Sequence, residues 1–166
     1  MIGWFATEAR AEPNLDGHYR IIGDPSTLAA QREGGIDNAI ASLPWLLRGI
    51  ARPFLESAVH DCFTVDLHLD NEAFSVNCNH DGALIRSRTI PLEVTGNDGR
   101  QYSIGLKVGP ADVLVSWDGS QGGQRSWYKL LSNGTLQVRR EIYSDKLPES
   151  ITWVSTYEPI QGDPTP

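Results

Sequence analysis

"CFTVDLHLDNEAFSVNCNHDG", residues 62–82, is the stretch whose reading decides the fold. Phe63, Val65, Leu67 and Leu69 alternate with Thr64, Asp66 and His68. A period of two belongs to a β-strand with one face in a core and one in water. "DNE" (70–72) then turns the chain into "AFSVNCNH" (73–80), and Asp81-Gly82 turns it again. Alternating segments joined by such turns form antiparallel hairpins.

The pattern continues toward the C-terminus through "ALIRSRTIPLEV", "RQYSIGLKV", "VLVSWDG", "QRSWYKLL", "TLQVRREIY" and "ITWVSTYEP", with turn residues between. Upstream, "GHYRII" (17–22) is a short strand that "GDPS" ends. Pro25 opens a helical stretch in which Gly34-Gly35 mark an interruption. Ile36, Ile40, Leu43, Leu47, Ile50 and Phe54 then recur every three or four residues, with Pro44 at a break between two helices. One strand, two helices and eight or nine further strands predict a mainly β protein. Its form is an antiparallel up-and-down barrel of about 9–10 strands with a helix-turn-helix lid after the first. Closure follows because it removes exposed strand edges. The domain spans 15–160, between an N-terminal extension (1–14) and a C-terminal tail (161–166).

Composition narrows the function. The chain has 166 residues, 40 % hydrophobic and 21 % charged, enough for one domain with a real core. Fourteen basic against twenty-one acidic residues give a net charge of −7, which opposes nucleic-acid binding. The N-terminus lacks the basic start and apolar run of a signal peptide, so a cytoplasmic location is expected. On that basis Cys62 and Cys78, which a hairpin brings near each other, read as reduced thiols. Histidines 18, 60, 68 and 80 follow no metal-ligand spacing, and no phosphate or dinucleotide motif is present. No metal and no cofactor are expected.

Several features, in order, resemble the intracellular lipid-binding proteins, the fatty-acid- and retinoid-binding family of the calycin group. "GHY" (17–19) stands at the family's Gly-x-Trp/Tyr, and the helical pair (25–55) at its lid. "WDG" (117–119) and the Asn-Gly turn in "LLSNGTL" (130–136) match two later turns. "STYE" (155–158) stands at its closing Arg-x-Tyr-Glu. The N-terminal extension, the longer helices and the extended loops after Gly119 and Ser144 depart from the family.

The resemblance implies a small hydrophobic guest inside the barrel. In the family, the closing-strand Arg and Tyr hold the guest's carboxylate, with a basic residue two strands earlier. Here Tyr157 is kept, Ser155 replaces the Arg, and the earlier basic position falls on Lys129. Alternation turns Leu136, Val138, Arg140 and Ile142 inward, so Arg140 is a second candidate cation. A buried cation needs either an internal carboxylate, such as Glu141 or Asp112, or an anionic guest.

The expected ligand set is Lys129, Arg140, Ser155, Tyr157, Trp153, Val138 and Trp127. The leading expectation is carriage of a hydrophobic molecule less acidic than a simple fatty acid. The alternative is a lipocalin-like cyclase or isomerase, of pericyclic or acid–base type, acting on a hydrophobic natural-product intermediate in the same cavity. Tyr157, Lys129 and His80 are its candidate catalytic side chains. The lid stripe, flanked by Arg48 and Arg52, reads first as the underside of a cover and also fits transient membrane contact.

Overall fold

The structure is a computed structural model that describes residues 13–79, 83–87, 91–95 and 99–160, the segment 83–87 by its backbone only. In chain order the elements are β1 (Gly17–Ile22), α1 (Pro25–Ile40), α2 (Trp45–Ala58), β2 (Thr64–Leu69), β3 (Ala73–Cys78) and β4 (Ala83–Ser87). Then come β5 (Leu92–Thr95), β6 (Gln101–Val108), β7 (Val113–Gly119), β8 (Gly122–Leu130), β9 (Leu136–Ser144) and β10 (Ile151–Pro159). The ten strands form one antiparallel sheet in the order β4-β3-β2-β1-β10-β9-β8-β7-β6-β5. Pairing of β1 with β10, for example Ile21 opposite Tyr157, joins the first strand to the last within the curled sheet of the barrel. The stretch read as one strand, 83–94, supplies two, and these are the ends of the sheet order.

Local chemistry explains the elements. Asp24 caps α1 by accepting from the Thr27 N–H at 3.1 Å, and Pro25 fills the first helical position. The helix runs through Gly34-Gly35, where an interruption was expected, and Gly35 lies against the Ile151 side chain of β10. Pro44 separates the two helices as expected, standing at the cap of α2. Tyr19 folds back over Gly17 (φ +153°), where a Cβ would come within 3.2 Å of the ring. Its phenol donates to the Leu15 carbonyl at 3.1 Å, which ties the barrel's first strand to the segment before it.

Two clusters fill the molecule. Tyr19, Val65, Phe74, Tyr128, Val138 and Tyr157 belong to the barrel interior, with Phe74 and Tyr128 edge to face at 5.2 Å. Ile36, Ala39, Ile40, Val59, Ile151 and Trp153 join α1 to the upper part of β10. The lid stripe therefore divides. Its α1 half is buried, whereas Leu47, Ile50 and Phe54 on α2 are exposed, Phe54 at 72 %. The expectation that the whole stripe forms an underside is corrected. The α2 backbone turns those residues outward, and only Ala51 and Leu55 of this helix pack on the core beneath.

The cysteines also differ from expectation. Cys62 and Cys78 form a disulfide across the β2–β3 hairpin, with Cα atoms 5.2 Å apart. The segment leaving α2 passes beside the end of β3, and this proximity makes the pairing possible. The cytoplasmic expectation, which took both thiols as reduced, loses that support. Among the described residues no helix is long and apolar enough to cross a membrane.

Candidate functional site

Strand register decides which candidate residues face inward. On β10 burial alternates, so Ile151, Trp153, Ser155 and Tyr157 point into the barrel. On β9 Leu136, Val138 and Arg140 do the same. Opposed residues on paired strands share a face. Leu130 faces Leu136, Tyr128 faces Val138, and Ser126 faces Arg140, so these β8 residues are inward as well. Lys129 opposes Gln137 and Trp127 opposes Arg139 on the outer face.

Lys129 is therefore exposed, and its expected place inside the barrel is corrected. An inward Lys129 and an inward Arg140 exclude each other in this register. Trp127 is likewise outside, half-buried under the Arg139 guanidinium 4.7 Å from its ring centroid. His80 lies outside the described residues.

Arg140 is 4 % exposed, and protein groups contact both of its terminal nitrogens. Nη1 donates to Ser155 Oγ at 3.3 Å, and Nη2 to the Tyr157 hydroxyl at 3.4 Å and the Cys62 sulfur at 3.7 Å. The counter-charge is Asp61, whose Oδ1 lies 3.6 Å from Nη1. That same oxygen accepts from Ser155 Oγ at 2.5 Å and from Trp153 Nε1 at 3.2 Å. The other carboxylate oxygen is paired with Arg32 of α1. Burial works against the charge of Arg140, but Tyr157, Tyr128 and Asp61 outweigh it and hold its pKa above the ordinary arginine value.

Asp61 and Arg32 had no place among the sequence candidates, and the internal carboxylate is neither Glu141 nor Asp112. One sequence signal pointed to Asp61. It is the one acidic residue in "SAVHDCF" (57–63), the junction that crosses the barrel mouth between α2 and β2. A buried arginine requires a nearby carboxylate.

The open space lies one rung above this cluster. A cavity of about 310 Å³ sits at the lid end of β6–β9, walled by Tyr102, Trp117, Gln124, Ile142 and Ser144, with Ala58 of α2 above. Gln124 opposes Ile142 on the rung next to Ser126 and Arg140. None of the seven expected ligand residues borders the cavity; Arg140, Val138, Trp153, Ser155 and Tyr157 pack beneath or beside it. Arg100 and Tyr143 stand at the rim. The Tyr143 phenol is pushed up, first by burial and then by its hydrogen bond to Asp118.

Solved structures with this architecture are numerous, though distant in sequence. The REP1-NXSQ fatty acid transporter superposes with a TM-score of 0.54 at 12 % identity, over 90 % of this chain and 98 % of its own. Human cRBP IV gives a TM-score of 0.50 at 9 % identity, over 89 % and 98 %. The fold is that of the intracellular lipid-binding proteins. The fluorescent protein UnaG has it too, with a TM-score of 0.51 at 9 % identity, over 88 % of this chain and 97 % of that one. No family model matches the chain, and no curated protein matches it in sequence.

Proposed function

We propose that this protein carries a small hydrophobic molecule in the cavity at the lid end of its barrel. The observation that carries the reading is that cavity. Its volume of about 310 Å³ lies at the lower end of ligand pockets, and Trp117, Tyr102 and Ile142 give it apolar walls. Gln124 and Ser144 add polar groups able to orient a guest. Burial of the guest against those walls supplies affinity at about 25 cal/mol per Å² of apolar surface. The transporter and retinoid-protein likenesses agree with this reading at the level of fold. Carriage is preferred to cyclisation or isomerisation because Tyr157 is sealed in the packed interior and Lys129 is exposed on the outer wall.

Delivery to a membrane completes the proposal. Trp45, Leu46, Leu47, Ile50 and Phe54 of α2 are all exposed, Trp45 at 80 %, and they form an apolar surface beside the cavity. Native mass spectrometry of protein purified from its source tests the carrier reading. The expected result is a stoichiometric small lipophilic adduct that is lost on denaturation. A protein that carries no adduct and takes up no lipophilic probe would refute it.

A further inference from the structure

The Cys62–Cys78 bridge lies where the lid rejoins the barrel, and its two sulfurs have different surroundings. We propose that it is a redox latch: a dithiol reductant opens it, the return from α2 loosens, and the cavity releases its guest. The proposal rests on the carrier reading and names the regulation of that cavity.

Residues 59–63 form the return from α2 to β2, and three side chains hold it. Val59 is buried in one cluster with Ile36 and Ile40 of α1. Asp61 binds Arg32 of α1 and both Trp153 and Ser155 of β10. Cys62 is tied to Cys78 at the end of β3. Just beyond, Asn79 keeps the hairpin paired without the bridge. Its Oδ1 accepts from the Phe63 and Thr64 N–H groups at 2.6 and 3.2 Å, and its own N–H donates to the Thr64 carbonyl at 3.0 Å. Reduction therefore frees the chain before Phe63 and leaves the strands in register. Ala58, which stands above the cavity, directly precedes that freed segment.

The Cys62 sulfur is buried 3.7 Å from Arg140 Nη2, whereas Cys78 is only half-buried at its strand end. A thiolate of the reductant attacks the accessible Cys78 sulfur, the S–S bond breaks, and its electron pair leaves on Cys62. The adjacent guanidinium stabilises the leaving thiolate, which speeds exchange. The second thiol of the reductant then displaces Cys78 from the mixed disulfide. The reductant ends as its own disulfide, and its two protons end on Cys62 and Cys78. Non-covalent contacts alone then hold the return, and it opens locally.

Prodan, an uncharged lipophilic fluorophore, reports on the cavity, and hydrogen exchange reports on the return. Both are measured on the full chain, oxidised and in dithiothreitol. The expected result is prodan dissociation faster by about tenfold or more after reduction. Exchange should rise in 58–62 while the amides of β7–β9 stay protected. Glutathione trapped at limiting concentration should be found on Cys78 by peptide mass spectrometry. Cys62→Ser with Cys78→Ser should release prodan fast without reductant and lose the response to dithiothreitol. Unchanged dissociation after reduction would overturn the proposal and leave the carrier reading standing. Exchange that rises throughout the barrel would also overturn it, by showing a staple for the whole fold, and so would glutathione on Cys62. Failure of both forms to bind prodan would instead refute the carrier reading, and the proposal with it. The unaltered protein alone decides these outcomes if the variant does not fold.

Discussion

The hydroxyl of Ser155 donates to Asp61 at 2.5 Å, across 94 positions of sequence. This contact joins the exit of the lid to the strand that closes the barrel, and through Arg140 it reaches the packed interior. Asp61→Ala should therefore destabilise the fold by about 3–5 kcal/mol, since it strands a buried guanidinium. Asp61→Ala combined with Arg140→Met should recover much of that loss, because no uncompensated charge remains. Urea unfolding of the three proteins checks both statements, and a double variant no better than the single one would contradict the pairing.

Tyr157 and Lys129 should behave oppositely when altered. Tyr157→Phe keeps the ring in a fully buried place but removes an acceptor from Arg140, at a cost of about 1–3 kcal/mol. Lys129→Met acts on the exposed outer face and should change stability by less than about 0.5 kcal/mol. Hydrophobic-probe affinity should be unchanged by Lys129→Met as well, and a clear loss would show that the β8 register is wrong.

The Cys62–Cys78 bridge closes a short loop, with its ends 16 positions apart. Reduction, or paired Cys→Ser replacement, should lower stability by about 3 kcal/mol. Thermal unfolding with and without dithiothreitol measures this, and alkylation before mass spectrometry of the native protein shows whether the thiols are free.

Alkaline pH should weaken the fold through Tyr19. Burial, and secondarily the charge of Asp16, raise its phenol pKa above 10.0. The folded state thus favours the neutral phenol, and the unfolded chain ionises first. The stability it contributes is complete below pH 10 and declines as pH rises through the folded pKa. Tyr19→Phe should show a shallower decline between pH 9 and about 11 in denaturant titrations.

The exposed face of α2 should bind lipid bilayers without depending on charge. Arg48 is tied to the carbonyls of Ala41 and Leu43, and Arg52 to Asp37 and Glu56, so neither basic group is committed to phospholipid. Partition onto zwitterionic phosphatidylcholine vesicles should fall severalfold in Trp45→Ser with Phe54→Ser, with little response to salt. Binding that requires anionic lipid would oppose this account.

The architecture was legible in the sequence because it rests on local rules. Period-two alternation, the turns at Asn133-Gly134 and after Trp117-Asp118-Gly119, and the cap Asp24-Pro25 each act over a few residues. The inward set on β10 was legible for the same reason: Trp153, Ser155 and Tyr157 are two apart on one strand. Lys129 was misplaced because facing depends on how two strands are offset across a turn. That turn runs from Leu131 to Thr135, whose mutual hydrogen bond sets Leu130 opposite Leu136.

The sequence by itself determined the helical pair after the first strand and, apart from the division of 83–94 into two strands, the succession of alternating strands, since backbone geometry enforces alternation within a single segment. Only the tertiary structure decided the contents of the interior. Asp61, Cys62, Arg140 and Ser155 meet because β1 pairs with β10 and the lid returns across the barrel mouth. A charge far along the chain becomes a neighbour only when the sheet closes. Nothing in the spacing of Arg140 could say that its counter-ion was already part of the protein.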